Sequence, residues 1–492
     1  MNKKSTQSIS GDSTSFEDNS VALIVDLDGT LISTDTLLES VLMLFHKAPW
    51  LILLLPIWLI RGGRAGLKYE ISNRISLDAT TLPYRHDVID VIRGARKNGR
   101  QIVLATAANK KVATNVAMHL GVFDHIIAST KERNAKAGNK LKEIQEYLAG
   151  KEFDYIGDSK ADLPIWKASR KIYAVSPNKS TGKLLEKLNN VNFIDEHKTL
   201  KFKTILRSIR IHQWAKNILL FAPLVLSQQY SNIESISSSI ISFLAFGVCA
   251  SATYLWNDLL DLPSDRQHSN KKMRPLAAGD MSIIQGVSLS LVLFVVGFLL
   301  SALYLPTQFT IMLLGYIALT ISYTFYFKRK LMTDVLMLGG LYAYRILIGA
   351  AAINVIVSPW LLAFSIFFFL SLALVKRFTD LSGLNENNKD KVGGRGYYVS
   401  DLDMVRSLGT SASYISVLVM ALYVSSPAVA NLYPSPNWLW LLSIIFLYWL
   451  SRIWFLAGRN QMPDDPVLFA VKDKVSYMVG ISVLTVLLLA SF

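Results

Sequence analysis

SSIISFLAFGVCASATYLWNDLLDLPSD, residues 238–265, decides what kind of protein this is. Its first nineteen residues, 238–256, contain no Asp, Glu, Lys or Arg. A helix of about twenty apolar residues crosses the roughly 30 Å hydrocarbon core of a bilayer. Directly behind this stretch stand Asn257 and Asp258, then Asp261 and Asp265. On a helix, acids spaced by three and four residues share one face. Three like charges so close repel and call for a cation, which Mg²⁺ bridging to a diphosphate would supply. Carboxylates at a membrane edge are costly to keep and point to function.

Outward from this segment, apolar stretches of similar length recur to the end of the chain. The expected spans are 217–236, 238–256, 283–304, 308–327, 333–353, 359–375, 409–428, 437–455 and 475–491, with Arg345 inside the fifth. The first, third, fifth and seventh connections carry no Lys or Arg. The even connections carry Arg266, Lys271, Lys272 and Arg274; then Lys328, Arg329 and Lys330; then Lys376, Arg377, Lys389, Lys391, Arg395 and Arg406; then Arg452, Arg459, Lys472 and Lys474. Under the positive-inside rule the even connections and the N-terminal region are cytoplasmic and the C-terminus is outside. The expectation is a multi-pass protein of a bacterial-type inner (plasma) membrane.

The composition agrees. Of 492 residues, 51% are hydrophobic and 18% charged, which excludes a disordered chain. The single cysteine, Cys249, excludes a disulfide framework and a Cys-rich zinc site. The formal net charge of +15 implies an anionic partner. Because the basic residues are divided among loops at one membrane face, that partner is phosphate chemistry at the membrane and not nucleic acid.

Upstream of about residue 205 the pattern is different. Residues 1–20 are rich in Ser, Asn and Asp and read as a disordered tail without a signal peptide. Residues 21–200 read as a soluble α/β domain, with strand-like runs Val21–Val25, Ile102–Ala105, Phe153–Ile156 and Ile172–Val175 alternating with amphipathic helical stretches. The very apolar Pro49–Ile60 is too short to span a bilayer. It reads either as a buried helix pair or as an interfacial patch with Arg61, Arg64 and Lys68 at the headgroups.

The first strand ends in Asp26-Leu27-Asp28-Gly29-Thr30, where an α/β sheet presents ligands. Asp26 is suited to attack a phosphorus atom, and Asp28 to protonate the leaving oxygen and then activate water. Thr106 closes the second run and could hold a phosphoryl oxygen. Lys140 opens a helix and could neutralise a phosphoaspartate, a role for which Lys136 competes. Asp158 and Asp162, in Gly157-Asp158-Ser159-Lys160-Ala161-Asp162, offer oxygen ligands to Mg²⁺. In this order the four elements resemble those of haloacid-dehalogenase (HAD) phosphohydrolases. The resemblance covers about residues 21–180. It implies a Rossmann-like α/β domain with a small helical cap at about 35–85, Asp26 as nucleophile, Asp28 as acid and base, Thr106 and Lys140 on phosphate, and metal at Asp26, Asp28, Asp158 and Asp162.

Asn257-Asp258-x-x-Asp261-x-x-x-Asp265 followed by Lys271-x-x-Arg274-Pro275-Leu276-Ala277-Ala278-Gly279 resembles the first signature of the UbiA superfamily of intramembrane transferases. The resemblance covers about residues 205–492. It implies an all-α bundle in which Mg²⁺ on Asn257, Asp258, Asp261 and Asp265 grips a leaving diphosphate. Where aromatic-prenylating members carry a second acidic motif, the sixth span here ends in Lys376-Arg377-Phe378-Thr379-Asp380. Trading a carboxylate for Lys and Arg suits a donor with additional phosphate. With Arg210, Lys216, Tyr323, Tyr326, Lys328, Asp334 and the Asp464-Asp465 pair, the chain is similar to the decaprenyl-phosphate phosphoribosyltransferase branch. That similarity implies substrate contacts at Arg210, Lys216, Lys272, Arg274, Tyr323, Tyr326, Lys328, Asp334, Arg345, Lys376, Arg377 and Asp380. The substrates it implies are phosphoribosyl diphosphate and a polyprenyl phosphate. Two other readings are a prenyltransferase acting on an aromatic acceptor and a membrane-anchored phosphatase whose bundle binds lipid.

Overall fold

A computed structural model describes residues 21–195, 201–268, 270–386, 396–463 and 465–492. The tail 1–20, the cations Lys389, Lys391 and Arg395, and Asp464 lie outside the described residues. The chain divides into two compact units, Met1–Ser208 with Asp258–Gly286, and Ile209–Asn257 with Val287–Phe492.

The first unit is built on six parallel strands: β1 (Ala22–Val25), β2 (Ile102–Asn109), β3 (His125–Ser129), β4 (Phe153–Gly157), β5 (Ile172–Val175) and β6 (Val191–Asp195), in the order β3-β2-β1-β4-β5-β6. β1 is apolar at every position and buried on both faces, as a central parallel strand must be. Its side chains alternate between two cores. Leu23 and Val25 pack with Val88 and Ile92 of helix His86–Lys97 and Val116 of helix Lys110–Leu120. Ala22 and Ile24 pack with Ile144 and Trp166 on the opposite face. Because β1 lies between β2 and β4, the chain reverses its order of strand addition there, which opens a crevice at the strands' carboxyl ends. Asp26, Thr106 and Asp158 all lie at that end.

After β1, Asp35 caps helix Thr36–Lys47 by accepting from the Leu37 and Leu38 N–H groups. The apolar stretch expected to stop at Ile60 instead continues. A 3₁₀ turn, Pro49–Leu54, runs into helix Leu55–Arg74, kinked at Gly63 where φ is +57°. Together these 26 residues are long and apolar enough to cross a membrane. Trp50, Leu53 and Ile60 are exposed, whereas Leu51, Leu55 and Trp58 pack against Leu44, Ile71 and Ile75. Lys68 also has a partner inside the domain. Ala65 and Ser72 beside it are buried, and its Nζ donates to the Ala107 carbonyl at 2.5 Å.

The second unit is helical. Its long helices include Thr307–Phe325, Thr333–Ala352, Pro359–Glu386, Leu402–Val424, Trp440–Gly458 and Lys474–Ser491, together with all but the first four residues of Ile283–Tyr304 and all but the last three of Ile233–Leu260. Among the described residues nine helical segments suffice in length and composition to cross a membrane, eight of these and Pro49–Arg74. The expected first span, 217–236, is displaced. The helix there runs from Ile211 to Leu226, beginning as an 11-residue 3₁₀ segment. It stops in a turn where Gln228 has φ +56° and Asn232 caps the next helix through the Glu234 N–H. At 3₁₀ and α rises it is about 30 Å long. Gly349 lets its backbone approach closely, since a Cβ there would stand 2.3 Å from the Leu220 carbonyl oxygen. The sixth span also exceeds expectation. Lys376, Arg377 and Asp380 sit on the helix that continues to Glu386, and not in a loop.

Candidate functional site

In the first unit the strand-end residues converge. Lys140 Nζ lies 2.9 Å from Asp26 Oδ2, 3.1 Å from Asp162 Oδ1 and 2.8 Å from the Tyr155 hydroxyl. Asp26 Oδ1 accepts the Leu27 N–H at 2.8 Å, leaving the carboxylate fixed between Lys140 and the backbone. Asp28 Oδ1 accepts the Thr36 N–H at 2.8 Å, which ties it to the first turn of helix Thr36–Lys47. Thr106 is fully buried and its Oγ1 accepts the Ala108 N–H at 3.0 Å. Thr30 Oγ1 donates to Asp158 Oδ1 at 3.3 Å. Lys136 and Lys140 line the same cavity of about 380 Å³, but Lys140 is the one bonded to Asp26.

Gly29 is required by this packing. Its φ is +77°, and a Cβ there would fall 2.3 Å from Asp158 Oδ2.

The electrostatics follow from burial. Burial raises Asp26 to about 6 against the pull of Lys140, with the charge of Asp162 adding to the rise. Asp28 is pushed to about 7 by burial and by the like charge of Asp35. Burial and the charges of Asp26 and Asp162 push Asp158 well above the usual carboxylate range. Burial would depress Lys140, but Asp26 and Asp162 hold it above its ordinary value. Among the described residues, Asp26, Asp158 and Asp162 are the one group of three whose ligand atoms lie within 4.8 Å of one another. Mutually repelling, buried oxygen donors of this kind fit a hard divalent cation. The oxygens of Asp162 are, however, already engaged by Lys140, Tyr155 and both the N–H and hydroxyl of Ser159.

Two participants were not expected from the sequence. Tyr155 on β4 bonds both Lys140 and Asp162. Lys68 of helix Leu55–Arg74 lines the cavity. The burial of Ala65, Lys68's near neighbour, and of Ser72 marks an inward helical face that the sequence shows only as small residues between charged ones.

The acidic motif at the end of helix Ile233–Leu260 does not stay on one continuous helix. The helix ends at Leu260, Asp261 stands at the turn, and Leu262–Gln267 forms a separate short helix. Arg274 Nη1 bridges Asp258 Oδ1 at 3.0 Å and Asp265 Oδ2 at 2.5 Å. Burial raises Asp265 despite that arginine. Asp258, Asp261 and Asp265 therefore do not form a three-carboxylate group like that around Asp26. Lys272 is exposed.

Within the second unit, Asn257 Oδ1 accepts the Thr324 hydroxyl at 2.9 Å. Arg377 is fully buried between Asp334 at 2.7 Å and Asp380 at 2.6 Å. Tyr397, another residue missed in the sequence, donates to Asp334 at 2.7 Å. Arg345 donates to the Tyr316 hydroxyl at 2.8 Å, to the Leu341 carbonyl at 2.7 Å and to Asn217 at 3.4 Å, with Phe246 and Tyr342 also facing its guanidinium. Lys216 pairs with Asp465. Burial would raise Asp465, but Lys216 and Lys376 hold it below the usual range. Arg210 lies over the Tyr254 ring at 5.6 Å. Tyr323 and Lys328 are half-buried, and Tyr326 is exposed against Phe327 and Lys330.

Comparison with known proteins bears on both units. The family model of haloacid dehalogenase-like hydrolases matches residues 23–167, and that of the UbiA prenyltransferase family matches residues 218–472. The chain is 39% identical over 466 residues to "Uncharacterized protein y4nM" of Sinorhizobium fredii, covering 94% of this chain and 90% of that one. It is 33% identical over 275 residues to "Nodulation protein NoeC" of Azorhizobium caulinodans, covering 56% and 89% respectively. It is 31% identical over 181 residues to "Decaprenyl-phosphate phosphoribosyltransferase" of Mycobacterium tuberculosis, covering 36% and 60%. A match over more than half of the chain, joined to a hydrolase domain with its own strand-end carboxylates, leads to one conclusion: the chain is a multi-pass membrane protein that belongs to the UbiA prenyltransferase family and carries a HAD hydrolase domain.

Proposed function

We propose that this is a bifunctional enzyme in which the UbiA domain, about residues 205–492, transfers 5-phosphoribose from phosphoribosyl diphosphate to a polyprenyl phosphate. The HAD domain, about residues 21–200 with a cap at 35–85, then removes the 5-phosphate of the lipid-linked product. The observation that carries this reading is the Asp26–Lys140 pair of a phosphate-ester hydrolase in the same chain as a transferase. Of the two donors weighed from the sequence, phosphoribosyl diphosphate is the one whose transfer leaves a phosphomonoester behind. The relative named decaprenyl-phosphate phosphoribosyltransferase supports the same donor.

In the transfer, an oxygen of the lipid phosphate attacks the anomeric carbon and the bond to diphosphate breaks. The acceptor is already anionic at neutral pH, so the chain's work is positioning and charge stabilisation. Lys376 and Lys328 are the residues proposed for the phosphates. Arg377 serves differently: with both terminal nitrogens on carboxylates, it braces Asp334 and Asp380.

In the hydrolysis, an Asp26 oxygen attacks phosphorus, the ester C–O–P bond breaks on the phosphorus side, and Asp28 gives its proton to the departing sugar oxygen. Asp28 then takes a proton from water, which attacks the phosphoaspartate and releases phosphate. Lys140 stays against Asp26 throughout, and Asp162 and Tyr155 position Lys140. Mg²⁺, the proposed cofactor of this domain, would be held by Asp26 and Asp158 and would neutralise the phosphoryl charge.

The proposed orientation puts residues 1–205 and the even connections in the cytoplasm and the C-terminus outside the inner membrane. Mass spectrometry of lipid products tests the substrates. Purified protein given phosphoribosyl diphosphate and polyprenyl phosphate should form a lipid-linked ribose. Product only from a prenyl diphosphate and an aromatic acid would sink this reading.

A further inference from the structure

The phosphatase cavity is not walled by the α/β domain alone. Its approximately 380 Å³ are also lined by Leu276, Gly279, Met281, Ile283 and Ile284, from the segment that follows the acidic motif and belongs to the same compact unit as Asp26. Two contacts fix this wall. Arg266 forms a two-pronged pair with Glu39, Nη2 to Oε1 at 2.7 Å and Nη1 to Oε2 at 3.2 Å, and both side chains are buried. Gly279, at φ +75°, packs so closely that a Cβ would stand 2.8 Å from Ser33 Oγ.

Glu39 is not a remote anchor. It accepts the Thr34 hydroxyl at 2.8 Å and lies on the helix whose first amide, Thr36 N–H, bonds Asp28. A residue directly behind the acidic motif is thereby linked to the acid and base of the phosphatase.

Arg266 and Ser282 also line the cavity, but most of this wall is apolar. Leu276, Met281 and Ile283 are buried apolar side chains, and Ile284 is 63% exposed. Ile283 and Ile284 open the 22-residue helix Ile283–Tyr304, which is apolar enough to cross a membrane. The first residues of such a helix lie at headgroup depth. The cavity thus runs from a phosphate-ester nucleophile to side chains suited to hydrocarbon. A small sugar phosphate would leave that side of the cavity with nothing apolar to cover. A phosphorylated sugar on a lipid would cover it with its own chain.

We infer that segment 266–284 is the specificity wall of the phosphatase, selecting a lipid-linked phosphomonoester, with Arg266 as a positioning residue that latches the wall through Glu39. This rests on the phosphatase reading above and assigns its selectivity to the segment that follows the acidic motif.

The test uses full-length protein in nanodiscs and two esters, polyprenyl-phosphate-linked ribose 5-phosphate and free ribose 5-phosphate. The readout is the ratio of their kcat/KM values, which overall damage to the site would leave unmoved. Wild type should favour the lipid-linked ester at least tenfold. Ile284→Asp, at an exposed position, should lower the ratio about tenfold, mainly through KM. Arg266→Ala should lower it too, with partial recovery in Arg266→Lys. Equal use of both esters by wild type, or an unchanged ratio in Ile284→Asp and Arg266→Ala, overturns the inference while leaving a phosphatase. Hydrolysis of neither ester removes the phosphatase reading and the inference with it.

Discussion

Arg377 and Asp334, forty-three positions apart, form an ion pair at 2.7 Å in which neither side chain is exposed to solvent. The second guanidinium nitrogen reaches Asp380, and Tyr397 holds the other oxygen of Asp334. A buried charge pair of this kind balances desolvation against attraction, and removing one member leaves the other stranded. The pair therefore separates two neighbouring cations that look alike in sequence. Arg377 is bound into the bundle, and Lys376 remains the candidate for substrate phosphate.

Arg377→Ala should cost about 3–5 kcal/mol, the usual penalty for breaking a buried pair. Lys376→Ala should leave thermal unfolding close to wild type and weaken phosphoribosyl diphosphate use about tenfold to a hundredfold, the loss of a charge-assisted contact of about 1.5–3 kcal/mol. Thermal unfolding in detergent and donor KM separate the two. Equal melting temperatures for both variants would return Arg377 to the substrate.

Gly29→Ala should disable the phosphatase without unfolding the domain. The added methyl would meet Asp158 Oδ2 at 2.3 Å in a backbone conformation that disfavours alanine. Phosphate release should fall at least tenfold, while transfer by the same protein stays near wild type. Full phosphatase turnover would show that Asp158 need not stay where it is.

Asp26→Asn should accumulate lipid-linked ribose 5-phosphate, whereas wild type yields the dephosphorylated lipid. Asp28→Asn, which lacks the proton relay, should slow hydrolysis by about 10²–10⁴. Lipid mass spectrometry reads both. The same phosphorylated lipid from wild type and Asp26→Asn would mean that the hydrolase acts on another substrate.

Acid stability depends in part on Asp124. Burial would raise its pKa, but the Ile102 N–H at 2.8 Å and Arg96 hold it below the ordinary value. A carboxylate depressed in the folded state stabilises above its unfolded pKa of about 4 and loses that contribution as pH falls through the folded value. Asp124→Asn should therefore melt below wild type at pH 7, with the gap narrowing under acid. A gap constant from pH 7 down to about pH 3 would assign the effect to packing.

The strand ending in Asp26-Leu27-Asp28-Gly29-Thr30, the order of Thr106, Lys140 and Asp158 behind it, and the recurring apolar stretches were all legible without coordinates. The apolar runs and the strand-end carboxylates are relations among near neighbours, and the order of the remoter residues is the order of the chain itself. Such relations survive in the linear chain because a helix or strand only repeats local geometry. Even there the helix ends were less secure. Gln228 and Asn232 end one helix and begin another by backbone conformation and capping, which hydrophobicity does not record.

The partners of the charges were decided elsewhere. No spacing shows that Arg377 meets Asp334, that Arg274 bridges Asp258 and Asp265, or that Lys68 lines the same cavity as Asp26. Nor does spacing show that Arg266 reaches Glu39 across 227 positions. An ion's effect falls with distance in space and rises as water is removed. Both quantities are set only when remote segments pack. Residue type and local order determined which chemistries the chain carries, and tertiary packing decided which charges meet, because only packing brings distant side chains within reach and takes the water away.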